Sequence, residues 1–393
     1  MLQHAVMQRV LPIATTLFLA SNLLASPARA DEGQWPPHQM PELKATLERL
    51  GIAVPVDQLS DLTRHPMSAI VSLDGCSASF VSPQGLIVTN HHCAYDSIQR
   101  NSTAANNYLA KGFLARTKAE ELPAGPNERV YVTESVRNVT AEVLAGVPPD
   151  LGGAERTRLI ERNSKALIAG CETSRDYHCT VESFHRGLDF YMFRQMMLRD
   201  VRLVYAPSEA IGNDGGGIDN FEFPRHTGDF AFFRAYVGKD GRPADPAPGN
   251  VPYGSKDFLT VSAVGVKAGD PILLAGYPGV TSRYKLPAEL RFALEHDYPK
   301  RVEHSQRDLA TIAAATDGDA EARVRYAATV KSINNRMKKL QGLLDGFARK
   351  DIVAIKDEQL AAFLAWSENQ PRAAQYRALV DELQGLIERD QHL

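Results

Sequence analysis

Side chains able to do chemistry concentrate in two short stretches. In "SASFVSPQGLIVTNHHCAYD", Ser77 to Asp96, the apolar runs "SASFV" and "LIVTN" flank "SPQG", which has the composition of a turn. That pattern predicts a β-hairpin, which delivers His91, His92 and Cys93 to the mouth of a sheet. A strand aims such a histidine while the following loop leaves it reachable, the placement that proton-transfer chemistry needs. A structural or merely exposed histidine is the competing reading. The second stretch, "GNDGGGIDNFEFPRHTGDF" (Gly212 to Phe230), collects Asp214, Asp219, Asn220, Glu222, Arg225, His226 and Asp229 in one polar loop. Neither Gly-x-Gly-x-x-Gly nor a Walker pattern is present, so its glycines do not make a phosphate cradle. A flexible loop without an active role is the alternative there.

The elements that must hold these residues read as follows. "MPELKATLERLG" is an amphipathic helical run ended by Gly51. From about 70 to 285 short β-rich runs dominate: "LIVTN", "RVYVTESV", "DVRLVYAP", "DFAFFRAYV", "FLTVSA" and "PILLAGYP". Short strands at turn-rich spacing suggest a barrel or sandwich rather than a doubly wound parallel sheet. A helix-like interruption lies near 155–198, in "ERTRLIERNSKALIAG" and "FHRGLDFYMFRQMMLRD". After about Tyr284 the period turns helical, and Leu379, Val380, Leu383, Leu386 and Ile387 form a stripe expected to pack in a core.

The chain has 393 residues, 44% hydrophobic and 23% charged, with formal net charge -3. That is ordinary globular composition, long enough for two domains. No basic stripe interleaved with aromatics is present, so a nucleic-acid partner is not expected. At the N-terminus, Arg9 closes a short basic region, "VLPIATTLFLASNLLA" is apolar, and "SPARA" ends in Ala-x-Ala before Asp31. This is the layout of a cleavable export signal, residues 1–30, with cleavage after Ala30. A soluble periplasmic or secreted protein, off the membrane once cleaved, is the expectation. Export makes disulfides available. Of the three pairings four cysteines allow, Cys76–Cys93 and Cys171–Cys179 are expected. Zinc held by some of His91, His92, Cys93, His178 and Cys179 is the competing reading. No Cys-x-x-Cys or His-Glu-x-x-His spacing supports it, so no metal or cofactor is expected.

Together, "GLIVTNHHCAYDSIQ", "DVRLVYAPSEAIGNDGG", "DNFEFPRHTGDF" and "GYPGVTSRY" resemble the dipeptidyl-peptidase 7/11 family of bacterial serine exopeptidases, from about Asp31 to the "SINNRMKKLQG" helix. The resemblance implies a mainly β fold with α: a chymotrypsin-like first barrel half (31–285), followed by a partial helical domain (286–393). It implies release of dipeptides from peptides with a free N-terminus by a His-Asp-Ser triad. His92 matches the general base and Asp229 the carboxylate that orients it. Asn220 and Phe221 match the pair that holds the substrate amine, although the family usually has Trp where Phe221 stands, and Asn335 matches a helical-domain asparagine of the same clamp. Attack on an amide needs a neutral imidazole beside a hydroxyl, with a buried carboxylate fixing its tautomer.

The hydroxyl is missing from the pattern. No Gly-x-Ser-Gly or Gly-x-Ser-x-Gly stretch occurs, and Ser77 and Ser255 are the nearest imitations. The resemblance implies that nucleophile and oxyanion hole belong to a second barrel half after the helical domain, so this chain reads as roughly the first half of a family member. The alternative is an inactive fragment, or a module that binds peptide N-termini and needs a separate partner half. A homodimer is the assembly entertained.

Overall fold

The computed structural model describes residues 34–149, 151–216, 220–221, 224–279 and 284–391. The export signal, Asp219 and Glu222 lie outside them. Eleven strands form one antiparallel sheet: β1 (Ile70–Leu73), β2 (Cys76–Phe80), β3 (Leu86–Thr89), β4 (Phe113–Leu114), β5 (Leu122–Pro123), β6 (Val130–Asn138), β7 (Tyr177–Phe184), β8 (Asp189–Leu198), β9 (Asp200–Ala206), β10 (Ala231–Val237) and β11 (Val251–Pro252). Their order is β4-β9-β10-β3-β2-β1-β6-β8-β7, with β5 beside β9 and β11 beside β10.

β8 and β9 stand far apart in that order, yet only Arg199 separates them in the chain. The sheet must therefore curl until its two sides meet at this corner. Arg199 is buried there and donates to Asp245 Oδ1 (2.8 Å) and to the carbonyls of Arg175 (2.7 Å) and Pro243 (3.1 Å). These acceptors satisfy a guanidinium that would be costly to bury unpaired. The curled sheet encloses Val71, Leu73, Phe80, Ile87, Val130, Leu198, Leu203 and Phe233, all essentially inaccessible. Burying one such side chain contributes roughly 1.5–3 kcal/mol, which fixes the register of every strand that supplies one.

Helix α1 (His91–Arg100) follows β3 directly and presents Ala94, Tyr95 and Ile98 to this core, a spacing that keeps one face inward. α2 (Gly153–Cys171) packs on the outer β7–β8 hairpin. After the last strand come α3 (Pro287–Phe292), α4 (Tyr298–Ala315), α5 (Ala320–Ala348), α6 (Ile352–Ser367) and α7 (Ala373–Gln391). α5 lies against both α4 and α1. No described helix is long and apolar enough to cross a membrane.

The mixed architecture, antiparallel strands followed by helices, is the one expected. Three local expectations need correction. The run 189–198 is strand β8, not helix, because β6 and β7 pair with it from both sides and supply a partner for each edge. "FLTVSA" and "PILLAGYP" form no strand: Leu259 N–H reaches the Phe80 carbonyl (2.8 Å), but no described strand pairs along the run. The stripe on α7 is mostly uncovered. Val380 is buried, while Leu379, Leu383 and Leu386 stay about half exposed.

Candidate active site

Strand register builds the centre of the site. β10 pairs with β3 so that Ala231 faces Thr89. Continued past both strand ends, that antiparallel register brings Asp229 level with His91 and His92. The Asp229 carboxylate then does two things. Its Oδ1 accepts the His92 backbone N–H (2.9 Å), one of the donors that the first turn of α1 leaves without a partner. Its Oδ2 meets His92 Nδ1 at 2.7 Å. Because an ionised carboxylate only accepts, Nδ1 carries the proton and Nε2 is the basic nitrogen.

Asn90 Nδ2 (3.4 Å) and Arg225 Nη2 (3.2 Å) also donate to Oδ2. The Asp229 side chain is almost fully buried, whereas His92 remains half exposed. Burial by itself raises the Asp229 carboxyl, but the hydrogen bonds from the His92 ring and backbone, with Arg225 beyond them, outweigh it and hold it well below the usual carboxylate range. The pair is thus a carboxylate–imidazole dyad with its tautomer set.

The disulfide Cys76–Cys93 ties the start of β2 to the residue after His92, and Cys171–Cys179 closes the turn from α2 into β7. Both pairings are those expected. Cys76, His92 and Cys93 bring ligand-type atoms within 4.8 Å of one another, but the two sulfurs are joined and offer no thiolate. His178 binds the Glu172 carboxylate at 3.0 Å, on the α2–β7 side.

A cavity of about 680 Å³ opens beside the dyad, lined by His92, Asn220, Arg225, Glu209, Lys331 and Asn335 among others. Asn220 from the glycine-rich loop and Asn335 from α5, 115 residues apart, meet here through Asn220 Nδ2 and Asn335 Oδ1. Phe221 is about half exposed next to Asn220. Glu128 also lines the cavity. Burial, with Asp74 and Asp96 adding to it, pushes its carboxyl up to about 7.

Ser77 and Ser255 are not partners of the dyad. Ser77 Oγ accepts from Tyr277 N–H (2.7 Å), and the buried Ser255 donates to the Asp257 carbonyl (2.6 Å). Among the described residues the His92 ring hydrogen-bonds only Asp229. His91 is fully buried, its ring against the Pro207 backbone. Its ring lies so close to Gly212 that a Cβ there would approach it to 2.4 Å. Burial, then the Lys331 charge, lowers its pKa to about 4, so it sits neutral beneath the dyad.

Sequence reading did not single out Tyr95, Glu209 or Lys331, and gave Arg225 no role. Lys331 Nζ is buried, with no hydrogen-bond acceptor among the described residues, 4.0 Å from the centre of the Tyr95 ring, whose hydroxyl donates to Glu209 (3.1 Å). Only the four-residue spacing of Arg225 from Asp229 and of Lys331 from Asn335 could have flagged two of them.

A proton-accepting imidazole locked to a buried carboxylate thus stands beside two converging amides. Residues 30–393 match the Peptidase S46 family, and the chain belongs to it. It is 50% identical over 381 residues to an Asp/Glu-specific dipeptidyl-peptidase of Shewanella putrefaciens, covering 97% of this chain and 51% of that one. It is 33% identical to a dipeptidyl-peptidase 7 of Capnocytophaga gingivalis, covering 97% and 53%. The crystal structure of Porphyromonas endodontalis DPP11 in complex with the dipeptide Arg-Glu superposes with TM-score 0.84 at 32% identity, covering 92% of this chain and 53% of that one. The same enzyme in an alternate conformation gives 0.62, at 29% identity over 80% and 52%. The chain spans about half the length of the relatives it matches.

Proposed function

We propose that this chain carries the base, its carboxylate and the amine clamp of a serine-type dipeptidyl aminopeptidase, with the nucleophile supplied by a second half. The observation that carries the reading is that His92–Asp229 and Asn220–Asn335 open onto one cavity. His92 Nε2 takes the proton of an attacking hydroxyl, and Asp229 stabilises the imidazolium. The side-chain oxygens of Asn220 and Asn335, with the face of Phe221, hold the substrate ammonium. An Asp/Glu preference is the one that likeness to the Shewanella putrefaciens enzyme supports. The protein is exported, with its mature end at Asp31.

Two measurements test this. Calorimetry with a short peptide should show binding that N-acetylation or Asn335→Ala removes. Equal binding of free and acetylated peptide would refute the clamp. In dipeptide-release assays with the second half supplied, Asp229→Asn should cost about 10⁴-fold in turnover, and an unchanged rate would refute the dyad.

The dyad's lack of any described hydroxyl partner favours a second reading, a module that captures peptide N-termini without cutting. The same calorimetry separates it: binding then persists while release stays absent even with the second half present.

A further inference from the structure

We propose that Lys331 is a positioning residue that fixes the distance between the amine clamp and the catalytic base, and so the number of residues released. The inference rests on the reading of His92, Asn220 and Asn335 given above. A dipeptidyl-peptidase must measure. The substrate nitrogen is held at one point, the attacked carbonyl lies about 7 Å further along an extended chain, and the base must stand there. In this protein the two points sit on different elements: His92 on α1, Asn335 on α5.

Ala327 and Ala328 of α5 pack on the core that Ala94, Tyr95 and Ile98 help form, and hydrogen bonds join α5 to α1 and to the loop after it. Gln99 near the end of α1 grips the α5 backbone: its Nε2 donates to the Arg325 carbonyl (2.5 Å) and its Oε1 accepts the Ala328 N–H (3.2 Å). The Ala104 N–H donates to Glu321 (3.1 Å). Both ties lie on the part of α5 before Lys331, away from Asn335. Lys331 makes the next contact, its ammonium over the Tyr95 ring at 4.0 Å.

The spacing on both helices is the strongest point. Tyr95 is three residues after His92, and Lys331 is four before Asn335. On a helix these are same-face neighbours. The Lys331–Tyr95 contact therefore stands one turn from each functional side chain and transmits the position of one helix to the other. Nζ is buried, and no hydrogen-bond acceptor reaches it among the described residues. Burial lowers its pKa, while Glu209 and Asp229 act the other way and favour the charged form. A buried ammonium held by an aromatic face, in the field of two carboxylates, is a directional pin. Tyr95 is itself fixed, packed in the barrel core with its hydroxyl on Glu209.

The test needs no serine. Mono-, di- and tripeptidyl chloromethyl ketones with free N-termini alkylate a histidine when their reactive carbon is held beside it. His92 Nε2 displaces chloride, so one N–C bond forms and one chloride ion leaves. Labelling of His92 in the purified chain is followed by peptide mapping. The dipeptidyl probe should label faster than the other two by about tenfold or more, because misplacement of 1 Å can cost about 100-fold.

Lys331→Met should erase that length preference, and Lys331→Arg, which keeps a cation on the ring, should restore it. If Lys331→Met does not fold, Tyr95→Leu removes the same contact from the other side and decides the matter. Length preference unchanged in the folded variant overturns the proposal. An N-acetylated dipeptidyl probe that labels as fast as the free one refutes the clamp instead, so the two failures are distinguishable.

Discussion

The barrel and the run 258–279 have similar composition and opposite fates. "AFFRAYV" and "PILLAGYP" are both short and apolar, but the second carries Pro271, Gly276 and Pro278, which weaken a strand. The first is β10, paired on both edges, with Phe233 and Ala235 inaccessible. The run 258–279 pairs with no strand among the described residues, and Leu274 is 97% exposed, with Val264 at 93% and Ile272 at 77%. The difference teaches that a strand is a relation between segments. Backbone N–H and C=O groups need partners, and a lone extended run leaves its row of them to water.

The comparison can be broken from either end. The largest effect is expected in the barrel: Phe233→Ala should cost about 3–5 kcal/mol in chemical denaturation, through lost burial and the cavity left behind. A loss below 1 kcal/mol would mean that the barrel is far looser than its packing implies.

A middle-sized effect comes from the barrel's power to strip water from a charge. Glu128, just before β6, has its pKa raised from 4.5 to about 7. The folded state therefore prefers its neutral form. The stability this gives is complete below about pH 4.5 and is lost as pH rises through about 7. Glu128→Gln should remove that loss, gaining about 1–3 kcal/mol above pH 8 relative to the parent. Melting curves at pH 5 and pH 8 that shift equally would refute the assignment.

The smallest effect belongs to the exposed run. Leu274→Lys should change stability by no more than about 0.5 kcal/mol, as surface substitutions do, while lowering the binding of an apolar dye. A cost comparable to that of Phe233→Ala would show that residues 258–279 are as tightly packed as the barrel.

Much of this was legible in the sequence because local pattern and tertiary pairing agree. The β2–β3 hairpin, β6, β9, β10 and the late helices all announce themselves by period. Residues 189–198 misled: "FYMFRQMML" does not alternate cleanly, and its strand state is imposed by β6 and β7, which sequence period cannot see. The site divides the same way. His92, Asp229, Asn220 and Asn335 were named from motifs, and the structure lines one cavity with His92, Asn220 and Asn335 while Asp229 sits behind His92. Tyr95, Lys331 and Glu209 carried no motif. Their relation exists only once α1 and α5 lie side by side.

Asp229 both caps the first turn of α1 and seats the His92 ring. The checkpoint for correct folding and the checkpoint for a working base are therefore a single event. A chain that starts α1 one residue early or late also strands its imidazole. A shift in the start of α1 would therefore break both contacts of Asp229 together.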